Sequence, residues 1–143
     1  MTPQILESID EHLDSVYELI CALEKTAIPR EKFKLIFVSN SMLPTVRYRV
    51  AVLEEKVIGF CSVHIQSLLH HWSDVAEVQE LIVHESYRGK GIGKLLLDDA
   101  IAFAKERGCT QIELATNRKR RDAQRFYERE GWTPSHFKFT LPL

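Results

Sequence analysis

Gln79-Glu80-Leu81-Ile82-Val83-His84-Glu85-Ser86-Tyr87-Arg88-Gly89-Lys90-Gly91-Ile92-Gly93-Lys94-Leu95-Leu96-Leu97 decides how this chain is read. An apolar strand runs into a glycine-rich turn, and the turn runs straight into an amphipathic helix. Gly89, Gly91 and Gly93 remove side chains where a ligand would approach the backbone. A helix that starts in such a turn leaves its first amides unpaired, and Arg88, Lys90 and Lys94 add positive charge around them. That combination suits a pyrophosphate-bearing ligand.

Two phosphate loops are excluded by spacing. A Walker A loop requires Gly, four residues, then Gly-Lys-Ser/Thr; here Gly93-Lys94 is followed by Leu95, and Arg88 stands where the first glycine belongs. A dinucleotide fingerprint requires Gly-x-Gly-x-x-Gly, whereas these glycines are spaced by two throughout. The remaining pattern, Arg88-Gly89-x-Gly91-x-Gly93 after a strand, resembles the acetyl-CoA loop of the GNAT superfamily of N-acetyltransferases. A second motif, Ala123-x-x-Phe126-Tyr127-x-x-x-Gly131-Trp132, is similar to the other characteristic GNAT motif and follows at the usual distance. One departure is visible: Arg120 stands where many members carry Asn, and Asn117 is the nearby amide.

A narrower resemblance, to aminoalkylphosphonate N-acetyltransferases, is carried by Leu114-x-Thr116-Asn117-x-Lys119-Arg120-x-Asp122-Ala123, Ser135-His136-Phe137, Arg47-Tyr48, His70-His71 and Glu77-x-Gln79-Glu80-Leu81. It implies acetyl transfer from acetyl-CoA to a small amine that carries a phosphonate.

The rest of the chain fits one α/β domain over residues 1–143. Its composition, 45% hydrophobic and 27% charged with net charge −1, gives no bulk electrostatic case for nucleic acid or a membrane surface. No apolar run of transmembrane length occurs, and the first residues lack the pattern of a signal peptide. Cys21, Cys61 and Cys109 have no metal spacing, which suits reduced thiols in a cytoplasmic protein. Helical periodicity covers about Asp10–Leu23, a second helix follows Pro29 over Arg30–Val38, and Arg47–Leu53 and Val57–Gln66 read as a hairpin. Ser67–Asp74 reads as a loop and Val75–His84 as a strand. The helix after the glycine turn ends at Gly108, Gln111–Ala115 is a short strand, and Asp122–Glu130 is a helix stopped by Gly131. Phe137, Phe139 and Leu141 alternate with polar residues as a last strand, and residues 5–8 read as a further short one. The resemblance implies the GNAT fold: a mixed, largely antiparallel sheet flanked by helices, with a splayed strand pair holding acetyl-CoA. A homodimer is compatible with this reading.

Amine acetylation requires a base, a donor for the oxyanion and an acid for the departing thiolate. Glu77 and Glu80 compete as base; strand alternation puts Glu77, Gln79, Leu81 and Val83 on one face and Glu80 on the other. Position relative to the GNAT pattern favours Glu77, leaving Glu80 as a substrate contact. The resemblance also implies backbone groups of Leu81, Ile82 and Val83 at the thioester. It places Arg88, Gly89, Lys90, Gly91, Ile92, Gly93 and Lys94 at the pyrophosphate, and Asn117 on the pantetheine arm. Tyr127 is the implied acid, since a phenol with an ordinary pKa near ~10 exchanges protons readily with an alkyl thiol. Arg47, Tyr48, His64, His70, His71 and His136 are the remaining candidates for the substrate pocket; Arg47, Arg49, His136 and Lys138 are the cations available to a phosphonate, with Arg47 favoured by its match to the subfamily. The histidines lack metal-ligand spacing, so no metal site is expected, although a loosely held divalent ion beside a phosphonate is compatible with them. The cluster Arg118-Lys119-Arg120-Arg121 reads equally as a nucleotide-phosphate contact or a solvated turn. No Cys–His or Ser–His–acid set supports a covalent route, so transfer is expected to be direct. The competing functions are a protein or peptide N-acetyltransferase and an acyl-CoA-binding regulatory module without turnover. Glu77 and Tyr127 argue against the module.

Overall fold

The computed structural model describes residues 2–143. Elements follow in the order β1 (Gln4–Glu7), α1 (Leu13–Glu24), α2 (Arg30–Ser41), β2 (Val46–Leu53), β3 (Lys56–Leu68), β4 (Ser73–Val83), α3 (Ile92–Glu106), β5 (Gln111–Leu114) and α4 (Arg121–Arg129). Single 3₁₀ turns lie at Asp10–His12, Leu69–His71 and Glu85–Tyr87. The sheet has the order β1-β2-β3-β4-β5, with β1 to β4 consecutively antiparallel. β4 and β5 are joined through α3, the long crossover that neighbouring parallel strands require.

The chain divides into two compact units, one up to Glu113 and one over Leu114–Leu143. In the first, α1 and α2 cover one sheet face. Leu13, Val16, Leu19 and Phe37 pack there on Val50, Phe60 and Ile82. α3 covers the other face with Leu96, Leu97, Ala100, Phe103 and Ala104 buried. Gly59 permits that close approach, because a Cβ there would stand 3.0 Å from Leu96 Cδ1.

Strands β3 and β4 run further than their sequence limits, so the expected Ser67–Asp74 loop shrinks to the Leu69–His71 turn. In the second unit α4 is followed by Gly131 at φ +93°. The expected strand at Phe137–Leu141 is not formed: residues 132–143 carry neither helix nor strand. Phe137, Phe139 and Leu141 are 88%, 92% and 83% exposed. Alternation specifies a strand only where a neighbour pairs with its backbone and covers its apolar face, and no strand pairing of this segment occurs among the described residues.

Candidate active site

A single irregularity in β4 organises the polar residues. Pairing with β3 runs from Gly59↔Val83 to Ser62↔Glu80 and resumes at Val63↔Val78, so Gln79 has no partner and forms a β-bulge. Beyond it the face presented by each side chain is inverted. Two rows then cross the sheet on the face covered by α1 and α2: Tyr48–Ser62–Glu80 and Val46–His64–Glu77. The expectation that Glu77 and Glu80 point to opposite faces is therefore corrected. Strict alternation holds only for an unbulged strand, and here both carboxylates share one face with His64.

Ser62 is fully buried between them. Its hydroxyl donates to Glu80 Oε1 and accepts the Glu80 N–H at 3.0 Å. On β2, opposite Ser62, the Tyr48 hydroxyl accepts from Asn40 Nδ2 of α2 at 2.9 Å. Burial pushes the Tyr48 phenol above its ordinary pKa; the Asn40 hydrogen bond opposes the shift and the Glu80 charge adds to it. Tyr48 therefore remains a neutral donor at physiological pH. Ser62 and Asn40 are absent from the sequence-derived site. The legible signal for Ser62 is one hydroxyl inside the apolar run Ile58–Val63 of a buried strand.

The opposite edge of β4 carries the backbone groups. The His84 N–H donates to the Ile58 carbonyl of β3 at 2.8 Å, and the Glu80 N–H also points toward β3. Because N–H direction alternates along a strand, Glu80, Ile82 and His84 face β3, whereas Leu81 and Val83 face the other edge. Pairing with β5 begins where the Thr110 N–H meets the Asp74 carbonyl at 3.0 Å, and β5 ends at Leu114. β4 is eleven residues long and runs on past that short strand. Of the three expected backbone contacts, Leu81 and Val83 are on the open edge and Ile82 is turned inward.

Arg88 Nε donates to the Val83 carbonyl at 3.0 Å, which ties the glycine turn to that edge. Gly89 and Gly91 have φ +76° and +80°, and a Cβ on either would meet no atom within 4 Å. Gly91 is the N-cap of α3, whose first turn has no side-chain cap; the Leu95 N–H to Gly91 carbonyl bond, at 3.2 Å, follows the amides of Ile92 and Gly93. Lys90 Nζ stands 5.5 Å from the Tyr87 ring centre, and Lys94 Nζ pairs with Asp98 at 3.2 Å. The turn thus offers uncapped amides, flanking cations and open space to an anion.

Other expected residues lie elsewhere. Arg47 alternates with Tyr48 and sits on the α3 face, so the two do not form one pocket. Its guanidinium is 3.7 Å from Asp99 and 4.6 Å from the Phe103 ring centre. Arg49 Nε reaches the same carboxylate at 3.2 Å. Arg47 lines a cleft of about 420 Å³ with Arg49, Pro44 and Phe103. His70 and His71 occupy the β3–β4 turn with ring centres 4.5 Å apart.

In the second unit Tyr127 is half-buried in α4, its ring centre 5.2 Å from that of Phe126 and 6.1 Å from that of Trp132. The Asn117 carboxamide oxygen accepts the Lys119 N–H at 2.9 Å, which folds the basic turn. His136 Nδ1 is 2.6 Å from Ser135 Oγ. Among the described residues no three His, Cys, Asp or Glu side chains are placed to hold a metal ion. No helix among them is long and apolar enough to cross a membrane.

Comparison with known proteins matches residues 13–132 to the model of the Acetyltransferase (GNAT) family. The chain is 44% identical over 140 residues to the aminoalkylphosphonate N-acetyltransferase of Salmonella typhimurium, covering 98% of this chain and 91% of that protein. A Bacillus halodurans C-125 crystal structure described as a transcriptional regulator superposes with TM-score 0.91 at 27% identity, over 99% of both chains. An aminoglycoside N-acetyltransferase, AAC(6')-Iy, in complex with CoA superposes with TM-score 0.89 at 17% identity, over 99% of this chain and 94% of that one.

Proposed function

Since the chain belongs to the acetyltransferase (GNAT) family, an N-acetyltransferase that uses acetyl-CoA, we propose that its acceptor is the primary amine of a small aminoalkylphosphonate. The observation that carries the site is the bulge at Gln79, which sets two carboxylates on one face beside the open amides of Leu81 and Val83. From Val83 to Gln79 the strand spans roughly 13 Å at about 3.3 Å per residue, comparable with the reach of an extended pantetheine arm from the glycine turn.

Ile92, Gly93 and the turn amides bind the pyrophosphate, with Arg88, Lys90 and Lys94 supplying charge. Asn117 meets the pantetheine arm. Glu80 accepts hydrogen bonds from the acceptor's ammonium, and Glu77 takes its proton, directly or through one water, as nitrogen bonds to the thioester carbon. The Leu81 N–H stabilises the oxyanion at that carbon. When the C–S bond breaks, Tyr127 gives its proton to the departing sulfur, and the second proton of the nitrogen, released by way of solvent, restores the phenol, leaving an N-acetyl product and free CoA. Tyr48 and His64, on the face of the two carboxylates, supply donors for the acceptor's anionic group. The phosphonate itself is supported by the 44% identity with the Salmonella enzyme over nearly the whole chain. Unbridged Cys21, Cys61 and Cys109 support a reducing, cytoplasmic setting.

Glu77→Gln keeps the side chain's volume and removes the base. It should lower kcat/KM by roughly 10² or more and flatten the acidic limb of the pH–rate profile, with acetyl-CoA affinity unchanged. A larger loss from Glu80→Gln would exchange the two roles.

A further inference from the structure

We infer that Ser62 is a positioning residue, whose buried hydroxyl closes the β4 bulge and so fixes both carboxylates on the amine face. The inference rests on the acetyl-transfer reading of that face. Three observations carry it.

First, Ser62 pairs with Glu80 as the last register position before the shift, directly beside the unpartnered Gln79. Its Oγ accepts the Glu80 N–H at 3.0 Å, at the pair that borders the bulge. Second, the same hydroxyl gives its proton to Glu80 Oε1, so one atom holds both the backbone and the side chain of Glu80. Third, Ser62 has 0% exposure inside an apolar run, where a hydroxyl is unfavourable unless hydrogen-bonded and where Ala or Val would satisfy packing alone. Among the described residues Ser8 is the other buried serine, and its hydroxyl has no hydrogen-bond partner, so burial alone does not explain the arrangement at Ser62.

The consequence reaches both sides of β4. If the Glu80 N–H is released, the bulge can migrate along the strand, and a shift of one residue moves side chains from one face to the other. Migration toward the start of β4 would take Glu77 off the face of His64 and Glu80, and migration the other way would turn Glu80 and the Leu81 amide out of their places. Tyr48 adds a lateral limit, since it stands opposite Ser62 with its hydroxyl held by Asn40.

The test combines a structural readout with a kinetic one. By NMR hydrogen exchange without ligand, the Glu80 amide should be protected in the wild type and exchange at least about tenfold faster in Ser62→Ala, the loss expected for one buried hydrogen bond. In transfer assays Ser62→Ala should lower kcat and raise KM for the amine, together about ten- to a hundredfold in kcat/KM. Its Kd for acetyl-CoA should stay within about twofold, because the glycine turn is untouched. Ser62→Thr, which keeps the hydroxyl, should recover most of the activity. Should Ser62→Ala fail to fold, Glu80→Gln leaves an acceptor for the Ser62 proton; it should retain slow exchange at residue 80 while the amine KM rises. Unchanged exchange at Glu80 in Ser62→Ala would overturn the inference, as would equal activity of Ser62→Ala and wild type. A wild type that binds acetyl-CoA, protects the Glu80 amide and acetylates no amine would refute the acetyl-transfer reading and with it the positioning role, leaving Ser62 a structural clamp.

Discussion

Arg47 keeps its charge within the fold. It shares the Asp99 carboxylate with Arg49 and lies over the Phe103 ring, about a fifth of its side chain exposed. Partly buried pairs of this kind contribute more than surface ones, yet Arg49 remains to satisfy Asp99 when Arg47 is removed. Arg47→Ala should therefore lower unfolding stability by about 1 kcal/mol, measured by urea denaturation. KM for an aminoalkylphosphonate and for an uncharged amine of equal length should be altered alike, within about twofold. A selective tenfold rise for the phosphonate would show that this guanidinium reaches the acceptor. From sequence, Arg47 beside Tyr48 looked like half of an anion site. Its partner comes from α3, fifty-two positions further on (99 − 47 = 52), and no local pattern reports such a pair.

At the scale of elements, the glycine turn and β4 differ in what can be read from sequence. The turn was legible because everything that defines it is local: glycine spacing, flanking cations, and a strand and helix with different periods. β4 was legible as a strand, but not in its facing. A bulge depends on which residue of β3 stands opposite, and that register is set across the hairpin. The glycines also separate by cause. Gly91 has φ +80°, so any side chain there is strained whatever the ligand does. Gly93 lies inside α3 and has no positive φ, so its backbone does not require glycine. Glycine in a helix is less favourable than alanine by up to about 1 kcal/mol. Gly93→Val, whose β-branched side chain is likewise less suited to a helix than alanine, should thus leave the melting temperature within a few degrees, while Kd for acetyl-CoA rises about tenfold or more as the side chain crowds the pyrophosphate. Unaltered affinity in this variant would remove the loop from the cofactor site. The apolar alternation at Phe137–Leu141 makes the converse point: its local signal is clear, yet the segment is exposed and unpaired.

For the whole molecule, the buried groups make stability depend on alkaline pH. Burial in the core, with smaller contributions from the charges of Asp99 and Glu80, pushes the Cys61 thiol up to about 12 from an ordinary value of 9.0. Below about pH 9 the thiol is neutral in both states. Above it the unfolded chain loses the proton and the folded one keeps it, so the unfolded state binds fewer protons and stability falls as pH rises toward about 12. The slope from this group approaches about 1.4 kcal/mol per pH unit, and Tyr48 acts in the same sense. Cys61→Ala should lose some stability at neutral pH through its small cavity and then decline less steeply between pH 9 and 11. Equal slopes would mean that the thiol is not sheltered as described.

For the whole molecule the central proposal is that this face of the sheet acetylates a small amine carrying a phosphonate. The most direct measurement is CoA release from acetyl-CoA with aminoethylphosphonate, an uncharged amine of equal length, a polyamine and a peptide, each product identified by mass. Stoichiometric N-acetylation is expected, with kcat/KM highest for the phosphonate and at least about tenfold above the uncharged amine, as for one charge-assisted contact. Preference for the peptide would contradict it and point to a protein N-acetyltransferase, and tight acetyl-CoA binding without CoA release from any amine would leave a binding module in its place.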